Sequence, residues 1–144
     1  MEQNATDFKT SIELRIDWSD IDLLGHVNNI SYFRYIQSAR VNYLELTGFM
    51  ELYNAGKTGP LLASSSCQFL KPLFYPGQIR VLTQVESIKN TSFCLKHMIL
   101  NEKEEIVATA TDIIVLFDFN GNHKITIPQS IRETIQNREC RIFK

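Results

Sequence analysis

Five residues able to do polar chemistry fall close together in the run WSDIDLLGHVNN, Trp18 to Asn29: Asp20, Asp22, His26, Asn28 and Asn29. A carboxylate can draw a proton from water or attack a carbonyl carbon itself. The asparagines stand directly before ISYFRYIQSARVNYLEL, which reads as a helix. The first N–H groups of a helix lack intrahelical partners and carry partial positive charge, so they suit a developing oxyanion. These are the parts needed to hydrolyse an activated acyl compound without a serine nucleophile. The chain has no GxSxG elbow, and its serine run, Ser64 to Ser66, falls inside a predicted strand. Each residue also has a plainer reading. Asp20 alone reads as a turn cap, His26 equally as a site residue or a loop-packing hydrogen bonder, and Asn28 and Asn29 as simple helix caps.

The elements that would position this cluster follow from periodicity. Ile12, Leu14 and Ile16 alternate with Glu13, Arg15 and Asp17, which predicts a half-buried strand over 11–18. SDIDLLG is a loop. A helix is predicted over 30–46, with Thr47-Gly48 as its stop. Ile30, Phe33, Ile36, Val41 and Leu44, with Tyr32, Tyr35, Ala39, Tyr43 and Leu46, leave that helix apolar on most sides, so it should be wrapped rather than half exposed. Strands are predicted at 61–70, 79–86, 93–99 and 106–119, the last two joined by the charged turn NEKEE. Asn120-Gly121-Asn122 is a hairpin signal, and Pro128 opens a short helix over 129–137. A strand, a long buried helix and a series of hairpins make one curved sheet around one helix. Such a sheet has open edges, which pairing between two copies would cover, so a homodimer or a dimer of dimers is expected.

Bulk properties narrow the class. The 144 residues suffice for one domain, 1–144, with a real core. A net charge of -1 gives no reason to expect nucleic acid or an anionic membrane as partner. Cys67, Cys94 and Cys140 are far apart and outside any CxxC spacing. They read as free thiols, which points to a cytoplasmic location, and no metal spacing is present. The polar start, MEQNATDFKT, has no signal-peptide core.

The pattern DxDxxGHVNNxxYxxYxxxxR, Asp20 through Arg40, resembles the signature of hotdog-fold acyl-CoA thioesterases of the 4-hydroxybenzoyl-CoA thioesterase type. It is also similar to the W-S-D-x-D…HVNN run of plant acyl-ACP thioesterases. QFLKPLFYPGQIRV, Gln68 to Val81, and IKNTSF, Ile88 to Phe93, extend the resemblance more loosely. It implies an α+β hotdog fold, a long central helix wrapped by a curved antiparallel sheet of five to six strands. It implies hydrolysis of an acyl-CoA or acyl-ACP thioester, with coenzyme A as part of the substrate and no other cofactor. Asp22 would be general base or nucleophile, and the backbone N–H of Asn29, next to Asn28, would polarise the carbonyl. His26 matches the plant motif, but Leu24 stands where that motif has asparagine, so its Asp-Asn-His arrangement is incomplete. Tyr32 would line the acyl pocket. Lys71, and Lys89 with Thr91 and Ser92, would meet coenzyme A. The competing readings are a hotdog dehydratase or hydratase and a non-catalytic acyl-binding dimer.

Overall fold

The alternation of Ile12 and Leu14 with Glu13 and Arg15 gives strand β1, Thr10–Arg15, shorter than predicted because Asp17 starts a 3-10 turn over Trp18–Asp20. The computed structural model describes residues 4–143, so Met1 to Gln3 and Lys144 of the expected single domain lie outside it. After the loop come α1 (Asn29–Leu46) and α2 (Phe49–Gly56), divided at Gly48, whose φ of 91° belongs to the left-handed region. Strands β2 (Thr58–Phe69), β3 (Gln78–Ile88), β4 (Ser92–Leu100), β5 (Ile106–Asp118) and β6 (His123–Lys124) follow, and α3 (Gln129–Glu139) closes the chain.

All pairings are antiparallel, in the order β1-β3-β4-β5-β2, with β6 added to β5. β2 is thus an edge strand, twelve residues long. The sheet lies against α1 through Tyr32, Tyr35, Ile36, Ala39 and Tyr43, the i, i+3, i+4, i+7, i+11 face. The expectation that α1 is wrapped on most sides is corrected here. The sheet covers one flank, and Ile30, Phe33, Val41 and Leu46 stay exposed, Ile30 by 69%. The physical reason is the edge position of β2: nothing lies beyond it in one chain, so Leu61, Leu62 and Phe69 are exposed as well.

The core has two apolar parts. One gathers Tyr32, Tyr35, Ile36, Ile79, Val81 and Ile99, and the other Tyr43, Phe49, Phe93, Leu95, Ile114 and Leu116. On the inward face of the strands the boundary between them is polar. Thr83 falls between Val81 and Val85, His97 between Ile99 and Leu95, and Asp112 between Ala110 and Ile114. Thr83 Oγ1 and His97 Nδ1 are 2.9 Å apart, and His97 Nε2 is 2.7 Å from Asp112 Oδ2. Ser65 Oγ on β2 donates to Asp112 Oδ1 at 2.7 Å. Arg40 of α1 donates from Nη1 to Asp112 Oδ2 at 2.9 Å. A second buried polar group closes the other end of the sheet. β3 outruns β1 there, and Glu139 accepts from the Val85 N–H at 2.6 Å and from the Tyr43 hydroxyl at 2.9 Å.

Candidate active site

The two acids of the opening motif have separate environments. Asp20 is 3% exposed. It accepts from the Asp17 N–H at 2.9 Å, the Tyr35 hydroxyl at 2.8 Å and the Ser31 hydroxyl at 3.2 Å, and it pairs with Arg34. Burial works against its charge, but these donors outweigh that and hold its pKa below the usual aspartate value. Both carboxylate oxygens are therefore engaged, and Asp20 fastens the loop to the first turns of α1. That agrees with the turn-cap reading.

Asp22 sits two residues on, at the base of a small hairpin. The Asp22 N–H donates to the His26 carbonyl at 2.8 Å, the Asn28 N–H donates to the Asp20 carbonyl at 2.8 Å, and Ile21 bridges Val27. The hairpin turns at Gly25, whose φ of 84° suits glycine. Asp22 Oδ1 accepts from the N–H groups of Leu24 and His26, at 2.9 and 3.3 Å. Among the described residues Oδ2 has no hydrogen-bond partner.

The start of α1 supplies the complementary group. Asn28 is the cap, and its side chain accepts from the Ile30 N–H at 3.1 Å. Its carbonyl accepts from the Ser31 N–H at 2.9 Å. The Asn29 N–H, between them, has no acceptor among the described residues. It is the free donor that a helix start offers.

Asp22 and Asn29 line one cleft of about 450 Å³ with His26, Val27, Tyr32 and the segment from Phe69 to Pro72. Tyr32 is buried, donates to the Lys71 carbonyl at 3.2 Å and meets the Phe69 ring edge-on at 5.1 Å. The His26 ring packs on Phe74 at 5.1 Å. The Val27 N–H donates to the Leu73 carbonyl at 2.9 Å, which ties the hairpin to the segment after β2. Lys71 reaches the cleft wall, but its ammonium is paired with Glu105.

Six of the residues singled out from the sequence thus come together: Asp22, His26, Asn29 and Tyr32 in the wall, Lys71 at its rim and Asn28 as the adjoining cap. Lys89, Thr91 and Ser92 do not join them within one chain. They form the turn from β3 to β4, where the Lys89 N–H donates to the Ser92 carbonyl at 2.7 Å. Ser92 pairs with Val115 of β5, whereas Phe69 at the cleft pairs with Ala108. Seven residues of strand separate the two, about 23 Å. Sequence reasoning gave no role to Val27, Phe69, Leu70 or Pro72. QFLKP was visible as a strand end, but only the pairing of β2 with β5 brings that end beneath α1.

Among the described residues no group of His, Cys, Asp and Glu side chains could hold a metal ion. No described helix is long and apolar enough to cross a membrane.

A curled antiparallel sheet laid on a long helix is the hotdog-type thioesterase fold. The chain belongs to the thioesterase-like superfamily, whose family model matches residues 16–135. It is 28% identical to the PA2801 protein of Pseudomonas aeruginosa, described as a putative thioesterase, with a TM-score of 0.80 over 89% of this chain and 98% of that one. A thioesterase from Thermus thermophilus, solved with coenzyme A and zinc, superposes with a TM-score of 0.83 at 23% identity, over 94% and 97% of the two chains. Among characterised sequences, the chloroplastic acyl-acyl carrier protein thioesterase ATL3 of Arabidopsis thaliana is 29% identical, over 84% of this chain and 64% of its own length.

Proposed function

We propose that the protein hydrolyses acyl thioesters of coenzyme A or acyl carrier protein in the Asp22–Asn29 cleft. The observation that carries this reading is the pair of unengaged groups lining one cavity, Asp22 Oδ2 and the Asn29 N–H. The thioester carbonyl accepts from the Asn29 N–H. Asp22 either takes a proton from water as that water adds to the carbonyl carbon, or adds to it directly and forms an anhydride that water then opens. In both courses the C–S bond breaks and the sulfur leaves as a thiolate, which is stable enough to need little acid assistance. The net change is thioester plus water to carboxylic acid plus thiol. A helix-start donor of this kind contributes about 3 kcal/mol to the barrier reduction. The Thermus relative with bound coenzyme A and the plant acyl-ACP relative support the two candidate thiol halves.

The same reading includes a homodimer through β2. Antiparallel pairing of β2 with β2 of a second copy covers Leu61, Leu62 and Phe69 and extends the sheet. Such pairing sets the Thr58 end of one β2 against the Phe69 end of the other. The Lys89–Ser92 turn of the partner subunit then lies about three strand spacings, ~14 Å, from the cleft strand. That is within reach of a coenzyme A seated at the cleft, so Lys89, Thr91 and Ser92 act across the subunit boundary.

A panel of acyl-CoAs with a thiol-reactive chromophore tests the function. Free thiol released in step with enzyme concentration supports hydrolysis. Hydration of crotonyl-CoA without thiol release would make the protein a hydratase, and binding without either change would make it an acyl-binding dimer.

A further inference from the structure

The net charge of -1 conceals a separation of charge along the sheet. The Asp22–Asn29 cleft lies at the end where β1, β2 and β4 finish. There Arg15, Arg34, Lys71 and Arg80 are paired with Asp17, Asp20, Glu105 and Glu104, and Lys103 stands between two glutamates in sequence. At the opposite end β2 begins, β3 turns into β4, and β5 finishes beside β6. Four cations gather there: Lys57 just before β2, Lys89 in the β3–β4 turn, Lys124 on β6 and Arg132 in α3. None of the four makes a salt bridge among the described residues.

Hydrogen bonds hold these elements in one rim. The Phe119 N–H donates to the Lys57 carbonyl at 3.1 Å, the Ile127 N–H donates to the Asn90 carbonyl at 2.9 Å, and Arg132 donates to the Lys89 carbonyl. Lys124 pairs opposite Phe117 of β5. Lys57, Lys89 and Lys124 are exposed, and Arg132 is half-buried. The nearby acids are fewer or already engaged. Asp118 accepts from the Asn120 and Gly121 N–H groups at 2.9 and 3.1 Å and lies 3.5 Å from His123, and Glu86 lies 3.7 Å from Lys96. Glu51 on α2 and Glu133 on α3 remain, so the rim keeps a positive surplus. Phe119, 43% exposed, sits beside Lys57. An apolar contact inside a charged border is the anatomy of a protein interface.

We propose that this basic end of the sheet docks a carrier protein through an acidic helix, and that the acyl group enters the cleft on the carrier's phosphopantetheine arm. This rests on the thioesterase reading above. The cations spread across the sheet from β2 to β3, three strand spacings or ~14 Å. Three turns of helix cover about 16 Å, so one acidic helix meets the whole set. The phosphates of a single coenzyme A sit on one nucleotide and need no more than Lys89 and its turn. A flat anionic membrane would face Glu51 and Glu133 together with the cations, whereas a protein can set its acids opposite the cations alone. The reach also fits. Lys57 directly precedes Thr58, which the antiparallel dimer sets against the Phe69 end of the other β2. A carrier docked there stands beside the other subunit's cleft, with ~14 Å for its arm to cross.

Steady-state thiol release from an octanoyl-carrier protein and from octanoyl-CoA, with wild type and with Lys57→Glu combined with Lys124→Glu, tests this. The double variant is expected to raise KM for the carrier substrate about tenfold and to leave both constants for octanoyl-CoA within about twofold. Unchanged turnover of octanoyl-CoA also shows that the variant is folded. Raising the salt from about 0.05 to 0.3 M should raise the wild-type KM for the carrier substrate several-fold, because exposed charges are then screened. Should the variant lose turnover of both substrates, this wild-type comparison decides, and a carrier KM that salt does not move overturns the proposal. Three other results overturn it: a carrier KM untouched by the charge reversal, an equal rise for octanoyl-CoA, or wild type that cleaves octanoyl-CoA and not the carrier substrate. Co-sedimentation of the wild type but not the variant with phosphatidylglycerol vesicles, beside an unmoved carrier KM, would assign the surface to a membrane instead. No thiol release from either substrate overturns the thioesterase reading, and this proposal with it.

Discussion

Asp20 and Asp22 differ by two positions in sequence and should differ completely in what amidation does to them. In Asp22→Asn the retained Oδ1 still accepts from the Leu24 and His26 N–H groups, and Oδ2, the atom replaced, has no protein partner to lose. The stability cost should stay within ~0.5 kcal/mol. The chemistry loses its base or nucleophile, a factor of about 10² to 10⁴ in kcat. In Asp20→Asn the reverse holds. Whichever oxygen becomes NH2 faces donors, either the Tyr35 hydroxyl and Asp17 N–H or the Ser31 hydroxyl and Arg34. One buried donor clash with the lost ion pair costs about 3 kcal/mol, a fall in Tm of ~10 °C for a chain of this size. Thermal unfolding and thiol release from one acyl-CoA, measured on both variants, give four numbers. Asp22→Asn should keep its Tm and lose turnover, and Asp20→Asn should lose Tm and keep more of its kcat than Asp22→Asn does. The assignment is refuted if Asp22→Asn retains more than about a tenth of wild-type kcat, since removal of a general base cannot be that mild.

Burial raises the pKa of Glu139 above the ordinary 4.5, against the opposing pull of the Val85 N–H, Tyr43 and two arginines. The native state therefore holds that proton more tightly than the unfolded chain, and stability declines as pH rises from 4.5 through the raised native value. Glu139→Gln should remove this decline in Tm-versus-pH curves and match or exceed the wild-type Tm at pH 8; a clearly lower Tm there would show the charge to be stabilising. Gly25→Ala meets no steric neighbour, so only its positive φ is strained, and a loss of about 1 kcal/mol in chemical denaturation is expected. A cost near zero would mean that the Asp22 hairpin is not held in this conformation. Sedimentation should find the wild type dimeric, and Leu62→Asp on the exposed face of the edge strand should shift it toward monomer; a monomeric wild type at micromolar concentration counts against pairing through β2. Lys89→Ala should raise KM for an acyl-CoA and leave that of a short N-acetylcysteamine thioester unchanged, and equal shifts for both would remove Lys89 from coenzyme A recognition.

Local signals carried most of the architecture. Period-2 alternation marked β1, the two asparagines marked the start of α1 to within one residue, and Asn120-Gly121-Asn122 marked the turn into β6. What the sequence hid was order across the sheet. β2 precedes β3 in the chain but lies beyond β5, a crossover that no local pattern encodes. For that reason Phe69 and Pro72 went unassigned, and the apolar girth of α1 read as wrapping on most sides. The polar layer was equally hidden. His97 and Asp112 stand in separate strands at inward positions, where each alone looks like an isolated polar residue, and only the antiparallel register turns them into one network.

The position of so much polar chemistry directly ahead of the long helix α1 has a mechanical reason. The hairpin around Gly25 is held by main-chain bonds, Asp22 N–H to His26 carbonyl and Asn28 N–H to Asp20 carbonyl. Asp22 and the start of α1 are thus set relative to each other by the backbone rather than by rotamers that could drift. Asp20 then fixes that unit to the body of the helix through Tyr35, Ser31 and Arg34, and its charge is fully compensated there. Charge compensation at Asp20 leaves Asp22 as the acid of the pair with an unengaged oxygen at the cleft. The anchoring acid and the proposed catalytic acid gain from lying close in sequence, because the same short hairpin then serves both. A longer spacing would let the Asp22 carboxylate move relative to the Asn29 amide, and at a catalytic site of the kind proposed a misplacement of about 1 Å costs on the order of 10²-fold in rate.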